Sequence, residues 1–381
     1  MSVDRLLQFN TALSQLGNKG RLRTLTFNSG ADFTSNDYLG LAASPELRTA
    51  LVDAIARGVP MGAGGSRLLR GNHEEHETLE REAAAFFGCE RMLYFSSGYS
   101  ANLSILSTLP RRGDLVIYDC LIHASAHEGI KAGKADAVAV AHNDPEAIED
   151  AIRTWRAGGG IGFPWIVCES LYSMDGDQSA LFDLVAIADR HDGFLVIDEA
   201  HATGVHGHQG IGYSGELRGR ENVVVLHTCG KALGVAGALV GASSVLCNVL
   251  VNRARPFIYS TAPSPLQAAC VRHALQVLAN EPERRRRLKQ LIESANKLVA
   301  FRFGSPVSGT QIIPLIIGDN SRTLRIAARM QRNGFDLRAI RPPTVPAGTA
   351  RLRITITLNV DEAAIIRMVD TLADVLKEEK V

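Results

Sequence analysis

The amino-acid sequence predicts an α/β protein: a large domain with a mostly parallel sheet flanked by helices, plus a small C-terminal α+β domain. Three observations lead there. Short apolar runs recur through the middle of the chain, and they are apolar throughout rather than alternating, as strands covered on both faces are. Longer helical patterns separate them, in the strand–helix–strand rhythm of a parallel sheet. The 381 residues also exceed the usual size of one domain, so a smaller satellite is expected.

In chain order, residues 1–45 read as an N-terminal arm, a helix followed by a hairpin-like segment. Residues 46–275 form the large domain, with strands at 92–95, 115–118, 165–168, 194–197, 223–226 and 238–241. Helical patterns at 75–87, 145–156 and 181–191 lie between them, and a long helix covers about 264–280. Residues 276–381 form the small domain, with strands at 311–317 and 352–357 and helices at 321–333 and 361–377. No internal repeat interrupts this order.

Composition narrows the function. Hydrophobic residues make up 46% and charged residues 21%, an ordinary globular balance. A net charge of +1 gives no electrostatic case for a nucleic-acid or membrane partner. The one basic run, Arg284 to Arg287, reads as the solvated face of a helix. Six scattered cysteines without a C-x-x-C pair suit a reducing compartment. The first residues lack a signal-peptide pattern and no run of about 18 apolar residues occurs, so a cytoplasmic location is expected.

Enzymes built on such sheets bind ligands at the carboxyl ends of strands. Four predicted strand ends carry unusual side chains: 96–102, 169–177, 198–201 and 227–231. Lys231 follows a glycine and leads into small apolar residues, which disfavour an ammonium ion and favour an imine-forming amine. A snorkelling lysine fits the local sequence as well. Asp198 ends an apolar strand and needs a cationic partner, which a protonated pyridine nitrogen would supply. Alternatively it caps the next turn. His201 is placed to reach a phenolic oxygen or to orient Asp198. The turn Ser97-Gly98-Tyr99 opens a helix, so its free N–H groups suit a phosphate, or serve only as a helix cap. Thr228 adds a hydroxyl donor, and His123 could lie over an aromatic cofactor. The spacing of His201, His206 and His208 matches no zinc site. Walker and G-x-S-x-G sequences are missing.

Over nearly its whole length the chain resembles the α-oxoamine synthases of the fold-type I pyridoxal-phosphate enzymes. The resemblance rests on Ser35-Asn-Asp-Tyr-Leu-Gly-Leu, Gly62-Ala-Gly-Gly-Ser-Arg, Ser173-Met-Asp-Gly-Asp, Asp198-Glu-Ala-His-Ala-Thr-Gly, Gly230-Lys231 and Ile258-Tyr-Ser-Thr. It implies pyridoxal 5'-phosphate held on Lys231 as a Schiff base, with Asp198 on the pyridine nitrogen and His123 stacked on the ring. It further implies O3′ contacts from Ser173 and His201, and phosphate contacts from Ser97, Gly98, Tyr99 and Thr228. Members act as homodimers with sites at the interface, so Ser260 and Thr261 are expected to reach the phosphate of the other subunit. Asn36 and Arg353 occupy positions for an amino-acid carboxylate, which a guanidinium fork suits.

The Ile340-Arg341-Pro342-Pro343 form resembles the branch that condenses L-alanine with a pimeloyl thioester, on coenzyme A or acyl carrier protein. That places Arg341 among the substrate-binding residues and the chain in biotin biosynthesis. Two departures stand out: residues 69–76 replace a more usual small and aromatic segment, which bears on acyl-chain recognition, and Glu199 stands where aspartate is frequent. The rival readings are an α-oxoamine synthase using glycine or another acyl thioester, and a non-catalytic binder of the same cofactor.

Overall fold

The computed structural model describes residues 5–379. In chain order the strands are β1 (Ala31–Asp32), β2 (Arg91–Phe95), β3 (Leu115–Asp119), β4 (Asp136–Val140), β5 (Pro164–Glu169), β6 (Phe194–Asp198), β7 (Val223–Thr228), β8 (Ala238–Ala242), β9 (Ile312–Gly318), β10 (Phe335–Asp336), β11 (Ala339–Ile340) and β12 (Ala350–Thr355). The helices are α1 (Leu7–Asn18), α2 (Pro45–Ala56), α3 (Glu74–Phe87), α4 (Gly98–Thr108), α5 (Ala124–Ala132), α6 (Pro145–Ala157), α7 (Leu181–Arg190), α8 (Ser244–Arg253), α9 (Arg255–Ile258), α10 (Pro265–Asn280), α11 (Pro282–Phe303), α12 (Asn320–Arg332) and α13 (Glu362–Glu378). The chain divides into two units, one of residues 36–173 and 177–289, the other of residues 1–35, 174–176 and 290–381.

The larger unit holds a seven-stranded sheet in the order β2-β8-β7-β6-β5-β3-β4. β8 runs antiparallel to both neighbours, and the other pairs are parallel. Why the strands are apolar at every position is plain from the two cores. Val116, Val167, Val196 and Val224 point into one, with Ile105 of α4 and Ala126 of α5. Ile117, Ile166, Leu195 and Ile197 point into the other, with Ile152 of α6 and Leu184 of α7. Successive strand residues face opposite sides, so a sheet covered twice leaves no position for polar alternation.

β4 escaped the sequence reading: it is an edge strand of small alanines and valines opened by Asp136, and it is largely exposed rather than covered on both faces. The basic run also differs from expectation. Arg284 pairs with Glu46 at 2.8 Å and donates to the Leu39 carbonyl at 3.2 Å, while Arg285 donates to the Leu278 carbonyl; Arg286 and Arg287 are the exposed pair. Half of that face is therefore structural.

In the smaller unit β11, β12 and β9 form an antiparallel sheet, against which α12 packs. The expected N-terminal hairpin does not form. Instead β1 pairs in parallel with β10. Gly30 (φ +85°) permits it: a Cβ there would lie 2.4 Å from the Gly334 carbonyl oxygen. Arg351 is buried and forms an ion pair with Asp175, its guanidinium also meeting the Met174 carbonyl at 3.3 Å. Among the described residues no helix is long and apolar enough to cross a membrane, and no group of His, Cys, Asp or Glu could hold a metal ion.

Candidate active site

Because β5, β6 and β7 run parallel in close register, their carboxyl ends deliver Glu169, Asp198, His227 and Thr228 to one edge. Of the two readings of Asp198 made from the sequence, the turn cap has a contact in the fold. Asp198 Oδ1 accepts the Ala200 N–H at 2.9 Å, capping the turn. Its Oδ2 accepts from the Asn102 amide at 2.8 Å. Both donors are neutral, so the charge of Asp198 is hydrogen-bonded without an ion-pair partner among the described side chains.

Asn102 starts a second line of contacts. It also donates to Ser125 Oγ at 3.0 Å, and that hydroxyl lies 2.8 Å from His123 Nδ1. His123 caps α5, its Nδ1 accepting the Ser125 N–H at 3.2 Å. These donors place the ring proton on Nε2. Burial first, then the charges of Lys231 and His127, push the imidazole below its usual value against the pull of Asp198. His123 is thus a ring held by the start of α5.

Lys231 sits beyond β7, its Nζ 2.6 Å from His201 Nε2. His201 Nδ1 lies 2.5 Å from the Tyr38 hydroxyl, which donates to Asn36 Oδ1 at 3.2 Å. The small residues after Lys231 have a packing cause beyond any effect on the amine. Gly234 (φ +69°) lies so close to residues 41–42 that a Cβ would approach the Ala42 nitrogen to 2.6 Å. Glycine at this turn keeps the lysine loop against the segment carrying Asn36 and Tyr38.

Ser97 caps α4 in a reciprocal arrangement with Ser100, leaving the first N–H groups of an eleven-residue helix at the same edge. Gly98 faces Thr228, whose Oγ1 would stand 3.5 Å from an added Cβ. Tyr99 is about half exposed. Ser260 and Thr261 are exposed and share a small concavity with Ser96 and Ser100. The Ser173 N–H donates to Glu169 Oε2 at 3.1 Å. Glu169 is buried with its other oxygen unpartnered. Burial and the charge of Asp198, opposed by Lys231, push its carboxyl up to about 8.

The smaller unit carries the remaining expected residues. Arg353 is buried on β12 and donates to Thr355 Oγ1 at 2.9 Å. Arg341 lines a cavity of about 530 Å³ with Leu13, Leu16, Arg21 and Arg23. Burial and the charge of Arg23 pull its guanidinium down.

Sequence reading missed Asn102, Ser125, Tyr38 and Glu169. Asn102 lies four residues after Gly98, one helical turn further on the same face, which is the signal that could have found it.

This fold and this strand-edge site define a fold-type I pyridoxal-phosphate transferase, and the aminotransferase class I and II family matches residues 29–372. An 8-amino-7-oxononanoate synthase from Cupriavidus pinatubonensis is 39% identical over 361 residues, 91% of this chain and 87% of that protein. One from Citrifermentans bemidjiense is 42% identical over 84% of this chain and 82% of its own. The chain belongs to the 8-amino-7-oxononanoate synthases, pyridoxal-phosphate-dependent acyltransferases of biotin biosynthesis. A solved member from Francisella tularensis superposes with a TM-score of 0.78 at 28% identity, covering 93% of this chain and 99% of its own. Serine palmitoyltransferase from S. paucimobilis shares the fold, with a TM-score of 0.88 at 24% identity over 100% of this chain and 99% of its own.

The residues present fit the cofactor. A half-buried carboxylate whose hydrogen-bond donors are neutral suits a protonated ring nitrogen. A capped helix N-terminus with a glycine at its first position leaves room for a phosphate.

Proposed function

We propose that the protein condenses L-alanine with a pimeloyl thioester, releasing carbon dioxide and the free thiol carrier and forming 8-amino-7-oxononanoate. The carrier is coenzyme A or acyl carrier protein. The observation that carries this reading is Lys231 Nζ at 2.6 Å from a buried imidazole, beside an aspartate with only neutral donors. It does so in a chain whose relatives bear that name.

Lys231 holds the cofactor in the resting enzyme, and its amine, once free, takes the α-proton of alanine and later returns it. Asp198, aimed by Asn102, holds the ring nitrogen protonated, and His123 covers the ring. Pyridoxal phosphate, when bound, supplies an electron sink for negative charge at the α-carbon. Ser173 and His201 contact its O3′. The hydroxyl of Ser97, the N–H groups of Gly98 and Tyr99, and Thr228 hold its phosphate. Asn36 and Arg353 bind the alanine carboxylate, and Arg341 binds acyl substrate. In a homodimer, Ser260 and Thr261 serve the phosphate of the neighbouring subunit's site.

The carbon–carbon bond forms as the thioester carbon–sulfur bond breaks and the thiolate leaves. The alanine carboxylate departs as carbon dioxide, and a proton returns to the α-carbon.

The test is thiol release from pimeloyl-coenzyme A with and without L-alanine. Release that requires L-alanine is expected, and Lys231→Ala should lose both the visible band of the bound cofactor and all turnover. Release with glycine but not with L-alanine would overturn the substrate assignment.

A further inference from the structure

We propose that His142 is a positioning residue: it ties the turn that leads to His123 to the hairpin that carries Ser173, and so sets two contacts to the cofactor ring. The proposal rests on His123 and Ser173 meeting the cofactor, and is independent of which thioester the enzyme uses.

His142 stands half-buried just past the end of β4. Its Nδ1 lies 3.0 Å from both oxygens of Asp119, and its Nε2 lies 2.9 Å from Asp177 Oδ2. Ionised carboxylates only accept, so both ring nitrogens donate, and the ring with two N–H groups is the imidazolium. Burial opposes that charge, but the hydrogen bonds and charges of Asp119 and Asp177 hold the imidazole up to about 10. Among the described residues no other cation meets either carboxylate. One charged ring therefore answers two acids.

Each acid belongs to a segment expected to touch the cofactor. Asp119 ends β3, and its Oδ1 accepts the Leu121 N–H at 2.8 Å, shaping the turn that leads to His123. Asp177 lies on one arm of a hairpin. The Tyr172 N–H donates to the Asp177 carbonyl at 2.9 Å, and the Ser179 N–H to the Ser170 carbonyl at 3.1 Å. Ser173 follows Tyr172 directly, and the Tyr172 ring meets the His142 ring edge to face, centroids 4.4 Å apart. Asn143 repeats the link. Its backbone takes the left-handed conformation that asparagine tolerates, at φ +54°. There its N–H donates to Asp119 Oδ2 at 2.6 Å and its amide to the Gln178 carbonyl at 2.8 Å.

The hairpin needs such a tie because it is no part of the large sheet. A single isolated bridge, Leu171 with Gln178, pairs its arms as strands would. Side chains must then decide where Ser173 lies: Glu169, which accepts the Ser173 N–H at 3.1 Å, and His142 from the opposite arm. Without the imidazolium, Asp119 and Asp177 are left as like charges with neutral donors, and the turn and the hairpin lose their common anchor.

His142→Gln keeps a polar side chain and removes the charge. In cofactor-free protein, amide hydrogen exchange should quicken about tenfold in residues 119–123 and 170–179 and stay as it was in β7. Pyridoxal phosphate, titrated by its visible band, should bind about tenfold more weakly. Adding His142→Gln to a protein that already carries Ser173→Ala and His123→Ala should cost no further affinity. Unchanged exchange in either segment, or unchanged affinity, overturns the proposal. So does an equal loss of affinity in the doubly substituted background, because His142 would then act by another route. Should His142→Gln fail to fold, Asp177→Asn, at a side chain 36% exposed, decides instead. Its loss of affinity should vanish in the Ser173→Ala background, and wild-type affinity or a persisting loss overturns the proposal. Failure of the cofactor contacts themselves would show separately, as wild-type affinity in Ser173→Ala and in His123→Ala, and the proposal would fall with them.

Discussion

At the scale of single residues, the site is organised around carboxyl groups in unlike surroundings. Asp198 keeps two neutral donors, whereas its register neighbour Glu169 is buried with one oxygen unpartnered. Removing the Asn102 amide should cost Asp198 a charge-assisted bond, on the order of 1.5–3 kcal/mol. Asn102→Ala is therefore expected to lower kcat by about 10- to 100-fold, and unchanged kcat would mean that Asn102 does not aim Asp198. Glu169 gives a pH dependence. Its carboxyl moves from 4.5 to about 8 on folding, so the folded chain binds more protons than the unfolded chain between those values. Stability must then fall as pH rises through that window. Cofactor-free Glu169→Gln should lose this slope, and thermal unfolding scans from pH 5 to 8 would reveal it. An equal slope in both proteins would place the burden on other groups. The positions of Lys231, Asp198 and His123 at strand ends were legible because each follows a predicted strand. Tyr38 and Asn102 were not, since their roles arise from contacts with residues far along the chain, His201 and Asp198, which no local pattern encodes.

At the scale of elements, the helices and strands that deliver the site are fixed by close backbone approach. Gly98 is a case where packing and function separate. A Cβ there meets only Thr228 and Leu226 side-chain atoms at 3.5 Å or more, an ordinary contact. Gly98→Ala should fold normally, with stability of the cofactor-free protein unchanged or raised by up to about 0.5 kcal/mol. It should nonetheless weaken pyridoxal phosphate binding, because the methyl occupies space before the α4 N-terminus. Titration of the visible band measures this, and wild-type affinity would remove Gly98 from the phosphate site. Gly234 is the opposite case. Its positive φ and the backbone only 2.6 Å from an added Cβ predict that Gly234→Ala costs about 2 kcal/mol or more, measurable by urea unfolding. The strands of the large sheet were legible because both faces are buried and their apolar runs are unbroken. β4 and the β1–β10 pair were not: one is an exposed edge, and the other is two residues long with a partner some 300 positions away.

At the scale of the whole molecule, apolar surface is the feature still to be explained. α1 buries none of its residues, and Leu6, Leu7, Phe9 and Leu13 are more than half exposed. Further along the same arm Leu25 and Phe27 are fully exposed, and in the larger unit so, largely, are Met61, Leu69 and Tyr259. Exposed apolar side chains in such number often mark a protein contact. The proposed homodimer supplies one, and a second copy is the partner that a symmetric interface requires. Burying one leucine or phenylalanine contributes about 1.5–3 kcal/mol. Replacing both Leu25 and Phe27 by aspartate should therefore weaken a dimer that covers them by well over tenfold per side chain. Sedimentation velocity across a dilution series would read the shift directly. If the wild type is dimeric and the variant sediments as a monomer with its fold retained by circular dichroism, the arm lies in the interface. The melting temperature of the wild type should also rise with protein concentration, because association stabilises only folded chains. A wild type that sediments as a monomer at micromolar concentration would remove the dimer, and with it the expectation that Ser260 and Thr261 act in a neighbouring site.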